Sequence, residues 1–310
     1  MNINAIWERM TALSLKHRGV QSTWVEVDGM KIHSLLSCSS LQPAFDHRLV
    51  CVHGLGSSGS SYGLLLPELS QFWSEIWAPS APSHGMSPPH PHPERAPDLT
   101  PSRLSGSSVK QNQIYAAWEK LLLHLSISEP ITLVGISLGG AISLRFAARY
   151  PERVHHLILC SPAGARLDQE GINHLKRVFR MSEAQDGLRF LKTLYHKAPW
   201  WSPLLAPLVR KSLSRPEAQS LITQLRPGDG LSPEEIRNLK PPCLLIWGKR
   251  ERVLPLSSLE FFSQNAPKNM TILQPESFSH APHREHIIEL SQLILDWVNT
   301  LSSTVPLGDK

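Results

Sequence analysis

Ser137 stands in the stretch ITLVGISLGGA, two residues after Gly135 and two before Gly139. The residues ahead of it form a short run fit for a buried strand, and GGAISLRFAARY behind it has apolar residues at helical spacing. A serine at such a junction has a mechanical reading. A sharp strand-to-helix turn lifts the hydroxyl clear of the sheet, and only very small side chains fit two residues to either side. The helix then aims its first N–H groups at whatever the hydroxyl attacks, which favours a developing oxyanion. The chemistry is nucleophilic attack on an acyl-type carbon, and it needs a base, an acid that orients the base, and a second oxyanion donor.

Each partner has a candidate in a strand-ending segment. VCVHGLGSSG ends an early apolar run in a glycine-rich turn, where the N–H of Leu55 could join that of Leu138 as oxyanion donor. The run PPCLLIWG is followed by KRERVLP, which offers Glu251 as the acid. The run NMTILQ is followed by SFSHAPH, which offers His280 as the base. Serine, acid and histidine thus follow one another in chain order.

The elements that must position these groups alternate. TWVEVDGMKIHSLL reads as two strands joined at Asp28-Gly29, HRLVCVHG and SEIWAPS as further strands, and QIYAAWEKLLLHL as a helix. Then come strand ITLVG, helix GGAISLRFAARY stopped by Pro151, and strands VHHLILCS, PPCLLIWG and NMTILQ. Ile287, Leu290, Ile294, Trp297 and Leu301 mark one face of a last helix. Strands alternating with helices imply a mostly parallel sheet covered on both faces. Between about Gly164 and Lys240 no strand is evident, and segments such as GLRFLKTLYHK and PEAQSLITQL predict a helical insertion.

The pieces VHGLGSSG, VGISLGG, LLIWGKRERVLP and SHAPHREH, in this order and spacing, resemble the α/β-hydrolase superfamily from about Thr23 to Leu301. CSPAGARL and the insertion behind it look most like bacterial lipases and esterases of the monoacylglycerol-lipase type. The resemblance implies an eight-stranded, mostly parallel sheet flanked by helices. The core would span 23–164 and 241–302, with a helical lid at 165–240, an N-terminal helical extension at 1–22 and a tail at 303–310. Three departures stand out. Glu251 occupies a position where relatives usually carry Asp, and Asp168 is the alternative acid because some relatives place theirs after the preceding strand. Ser279 precedes the histidine where Gly is usual. In SAPSHGMS, Ser80 and Ser83 replace the Asp and first Gly of a D-x-P-G-x-G-x-S loop. The expected activity is cofactor-free hydrolysis of a carboxylic ester, of medium-chain or lipid-like acyl type, with Ser137, His280 and Glu251 as triad. C–C bond hydrolysis or acyl transfer would use the same triad. A binding protein on this scaffold would have no need of the strained turn.

Composition bounds the rest. The net charge of +5 comes without a long basic block, and nothing resembles a nucleic-acid module. Cys51, Cys160 and Cys243 lie in apolar runs and, with Cys38, fit no zinc spacing, so buried free thiols and a reducing, cytoplasmic setting are expected. Of the 15 histidines, His84, His90 and His92 sit in a proline-rich loop unsuited to hold a metal, and no metal is expected. His53 reads as a loop-bridging residue, His283 and His286 as helix-start and surface residues, and His155 and His156 as flanking a strand. Trp200, Trp201, Phe190, Leu191, Leu194 and Tyr195 are candidates for the underside of the lid. No run is long enough to span a membrane. Ile3, Ile6, Trp7, Met10 and Leu13 recur at helical spacing, either to lie on the domain or to touch a membrane surface. The expected partner is a small ester or lipid-like molecule, and the oligomeric state is left open.

Overall fold

The structure is a computed structural model that describes residues 3–39, 42–89 and 109–303. Helix α1 (Ile3–Leu15) leads into the hairpin β1 (Val20–Val27) and β2 (Met30–Cys38), which turns at Asp28-Gly29. Strand β1 therefore starts inside the stretch expected to form the N-terminal extension. Next come β3 (Phe45–Val52), the short α2 (Leu66–Leu69), β4 (Trp73–Pro79), α3 (Val109–Leu125), β5 (Ile131–Ile136), α4 (Leu138–Arg149) and β6 (Val154–Cys160). Helices α5 (Gln169–Val178), α6 (Asp186–Leu194), α7 (Ser202–Leu213), α8 (Pro216–Thr223) and α9 (Pro233–Arg237) form an insertion before β7 (Cys243–Ile246). The chain closes with α10 (Leu256–Gln264), β8 (Met270–Leu273), the single turn α11 (Pro282–Glu285) and α12 (Ile287–Ser303). His90 and His92 lie outside the described residues.

The eight strands form one sheet in the order β1-β2-β4-β3-β5-β6-β7-β8. The pairs β1–β2 and β2–β4 are antiparallel, and every pair from β4 to β8 is parallel. This is the α/β-hydrolase architecture the resemblance implied. All six residues of β5 are buried, as a central parallel strand covered on both faces requires. Alternate residues serve opposite layers. Val50, Val52 and Leu133 join a core with α3, α4 and the insertion, while Leu49, Cys51, Val134 and Ile136 join one with α2 and α12. The order reverses between β3 and β5, and the crevice at the carboxyl ends of such neighbouring strands is where open α/β sheets bind ligands. Val52 ends β3 just before the Leu55 turn, and Ile136 ends β5 just before Ser137.

Helix α1 forms where its apolar spacing predicts but buries a different face. Met10 and Leu13 are 59% and 72% exposed, whereas Glu8, Ala12 and Leu15 point inward. Glu8 Oε1 accepts the Ser80 hydroxyl at 2.6 Å, Oε2 accepts the Met86 N–H, and His33 Nδ1 lies 3.3 Å from Oε2. A buried carboxylate fixed by several partners outweighs the hydrophobic stripe, because leaving it in apolar surroundings unpaired would cost far more than two exposed side chains. Glu8 supplies the acidic group that SAPSHGMS lacks at Ser80. Ser83, at the missing glycine, has φ +66°.

Candidate active site

Ser137 has φ +55° and ψ −121°, a strained conformation for a residue with a Cβ. The backbone around it shows why the flanking positions are glycine. A Cβ on Gly135 would lie 2.5 Å from the Gly139 carbonyl oxygen, and one on Gly139 would lie 1.9 Å from that of Val52. Helix α4 starts at once, and the Ser137 carbonyl accepts N–H groups from Gly140, Ala141 and Ala163. The N–H groups of Leu55 and Leu138 find no acceptor among the described residues. Both stay available to a negative oxygen near Ser137.

His53 braces the Leu55 turn. Its Nε2 accepts the Ala81 N–H at 3.0 Å, so Nδ1 carries the proton and donates to the Gly54 carbonyl at 2.9 Å. Burial, with a smaller push from His84, lowers its pKa to about 3 and keeps it neutral. It bridges two loops, as its place in the His-Gly turn suggested.

His280 and Glu251 come from the loops after β8 and β7. His280 Nδ1 lies 2.8 Å from Glu251 Oε2, with both side chains almost fully buried. The other carboxylate oxygen accepts the N–H groups of Val253 and Leu254, at 2.7 and 3.0 Å. Burial pushes the Glu251 carboxyl up. His280, the Ser161 hydroxyl and the Leu254 N–H outweigh that push and hold it below the usual range. The longer glutamate arm thus reaches the imidazole with two backbone donors holding its other oxygen. Asp168, the alternative acid, has other work: it is the N-cap of α5, and its Oδ1 accepts the Gly171 N–H at 2.8 Å.

Two chambers meet at Ser137, sharing Leu55 and Phe179. One is predominantly apolar and runs under the insertion, past Ala165, Ile172, Leu175, Leu221 and Leu225. The other holds His280 together with Tyr62, Leu191, Leu194, His283 and Arg284. Phe190, Leu191 and Leu194 of the predicted underside line this second chamber, Tyr195 and Trp201 line the cleft outside it, and Trp200 is 87% exposed.

Sequence reading missed three residues here. Ser161 follows β6 directly, with φ +40°, beside the acid. His283, expected as a helix-start and surface residue, does fall at the start of α11 but is only 7% exposed. Arg284 carried no local signal, because the groups around it come from distant segments. Among the described residues no cluster of histidine, cysteine or acidic side chains is arranged to hold a metal, and no helix is long and apolar enough to cross a membrane. Cys51, Cys160 and Cys243 are buried and Cys38 is exposed.

A family model described as the alpha/beta hydrolase family matches residues 49–289. The chain is 26% identical over 232 residues to the 2-hydroxy-6-oxo-2,4-heptadienoate hydrolase of Pseudomonas putida, covering 68% of this chain and 74% of that protein. It is 22% identical over 261 residues to the pimeloyl-[acyl-carrier protein] methyl ester esterase of Neisseria meningitidis serogroup B, covering 81% and 92%. Among solved structures, a bacterial membrane phospholipase A superposes with a TM-score of 0.75 at 22% identity, covering 97% of this chain and 93% of that one.

Proposed function

The chain belongs to the alpha/beta hydrolase family, and we propose that it cleaves a carboxylic ester with an apolar acyl group by a Ser137-His280-Glu251 triad. The observation that carries this reading is the 2.8 Å contact of His280 Nδ1 with Glu251, in a chamber that also holds Ser137 on its strained turn. Ser137 Oγ attacks the acyl carbon while His280 takes its proton. The oxyanion is received by the N–H groups of Leu55 and Leu138, each worth about 3 kcal/mol in the transition state. His280 returns the proton to the leaving alcohol, and Glu251 keeps the imidazole in the tautomer that allows this. Water, activated by the same histidine, releases the acid. The acyl chain lies in the apolar chamber, and the insertion acts as its lid.

The test is hydrolysis of p-nitrophenyl esters from acetyl to palmitoyl, with Ser137→Ala beside the unaltered protein. Turnover that rises with chain length and falls by roughly 10⁴-fold or more in the variant is expected. Turnover that survives the substitution would remove Ser137 from the mechanism. C–C bond hydrolysis is the second reading, carried by the similarity to the Pseudomonas putida enzyme. A conjugated ring-fission dienoate would separate the two. Ser137-dependent loss of its absorbance, with esters left intact, would replace the ester reading.

A further inference from the structure

The second chamber shares Ser61, His283 and Arg284 with a neighbouring cleft whose walls include Thr11 and Ser14 of α1 and Lys197 of the insertion. Arg284 Nη1 donates to the Tyr195 hydroxyl at 3.3 Å. Among the described residues no carboxylate lies within ion-pair reach of its guanidinium. The adjacent carboxylate, Glu285, is already engaged by the N–H groups of His196 and Lys197 and by the Ser279 hydroxyl. His283 adds a buried Nδ1 with no partner among the described residues. Burial, then Arg284 and His280, keep that ring neutral. Among the described residues these shared walls therefore present an exposed guanidinium with no carboxylate partner beside a buried imidazole nitrogen with no partner at all.

The apolar chamber is different. Of its charged residues, Arg145 reaches Glu235 at 3.4 Å and lies 4.5 Å from the Tyr115 ring centroid, and Asp229 accepts the Arg226 N–H at 2.9 Å. The Arg226 guanidinium, exposed like that of Arg284, has no carboxylate partner among the described residues, but no lining side chain of this chamber carries a buried polar atom without a partner there.

The proton path decides which half of an ester faces Arg284. The leaving oxygen must take its proton from His280, so the alcohol half lies in the chamber that holds His280. A guanidinium fork matches the planar oxygens of a carboxylate or a pair of phosphate oxygens. Resting on the ester reading above, we propose that the substrate's alcohol carries an anionic group, a phosphate or a carboxylate, which Arg284 binds at the mouth of this chamber. In the reaction the Ser137 Oγ–acyl bond forms and the acyl–oxygen bond breaks. The alcohol leaves with the proton from His280, and the anionic group is unchanged. Arg284 sets specificity and does not touch the reacting atoms.

Three decanoyl esters that differ only in the alcohol provide the test: glycerol, glycerol phosphate and hydroxybutyrate. The unaltered protein is expected to prefer one or both anionic esters in kcat/KM. Arg284→Gln should lower the anionic-to-neutral ratio by about tenfold or more, mostly through KM, the loss typical of a charge-assisted hydrogen bond. The phosphate and carboxylate arms identify which anion is preferred. Arg226→Gln should shift all three esters alike. An unchanged ratio in Arg284→Gln would overturn the proposal, and so would a ratio that collapses in Arg226→Gln instead, since that would place the anion on the acyl side. Calorimetry with Ser137→Ala gives a readout independent of turnover: decanoylglycerol phosphate should bind more tightly than decanoylglycerol, and adding Arg284→Gln should erase the difference. Absence of turnover with all three esters would sink the ester reading, while the binding comparison would still decide the Arg284 site.

Discussion

The two chambers that meet at Ser137 are lined by different stretches of the same insertion and differ in chemistry. Ile172, Leu175, Leu221 and Ile222, from α5 and α8, turn buried apolar side chains toward one of them. Ile172, Leu175 and Ile222 also belong to the core that packs against the sheet, so pocket and core share a surface. Leu191 and Leu194 of α6 line the other beside His283, whose buried Nδ1 has no partner among the described residues, and Arg284, which meets the Tyr195 hydroxyl but no carboxylate there. A core excludes unpaired polarity because its cost is high. A binding surface keeps it because a ligand will satisfy it. On the proposed reading, the difference places the two halves of the ester in opposite physical surroundings on either side of Ser137. Leu55 and Phe179 border both chambers.

The largest expected effect ignores the partition. Glu251→Gln keeps the shape of the acid but removes its charge and presents an amide to His280, which favours the wrong tautomer. A fall of about 10²- to 10⁴-fold in kcat is expected, equal for neutral and anionic esters. A loss confined to one class would mean that Glu251 also contacts substrate, and the division of labour drawn above would fail. Next in size is a change to one side only. Leu225→Trp puts bulk into the apolar chamber and should cut kcat/KM for decanoyl esters by roughly tenfold relative to acetyl esters of the same alcohol. An equal effect on both chain lengths would show that the acyl group lies elsewhere.

What could be read from the chain follows from how local the physics is. The strained turn at Ser137 is legible because its constraints fall on residues two positions away, and the close contacts at Gly135 and Gly139 are those constraints in space. The sheet is legible because runs such as ITLVG must be buried on both faces. Helix α1 was legible as a helix, but its buried face was not. That face is set by Ser80 and the Met86 N–H, which reach Glu8 from over seventy residues away. A signal did exist, since a loop that has lost its Asp at Ser80 needs a carboxylate from elsewhere. His283 and Arg284 escaped for the same reason: Tyr62, 5.1 Å from the His283 ring, and Tyr195 lie far away in sequence.

The smallest expected effect concerns Ser161, which lines neither chamber and acts through Glu251. Its hydroxyl helps hold the Glu251 carboxyl low, so Ser161→Ala should let that pKa rise. A more basic carboxylate stabilises the charged imidazole, and the acid limb of kcat/KM should move to higher pH with a few-fold fall in kcat. The anionic-to-neutral ratio should stay fixed. Stability follows with a definite sign. A carboxyl held low in the folded state contributes stability above its unfolded pKa and loses it as pH falls through the folded value. The variant should therefore be less stable at neutral pH, by about 1 kcal/mol for one hydrogen bond, and the gap should close on acidification. Ser161→Gly separates the hydroxyl from the backbone, because glycine relieves the strain at φ +40° while also lacking the oxygen. A pH shift shared by both variants, with a higher melting temperature for glycine than for alanine, would assign the hydroxyl to positioning Glu251. A pH profile unmoved in both would leave Ser161 a turn residue alone.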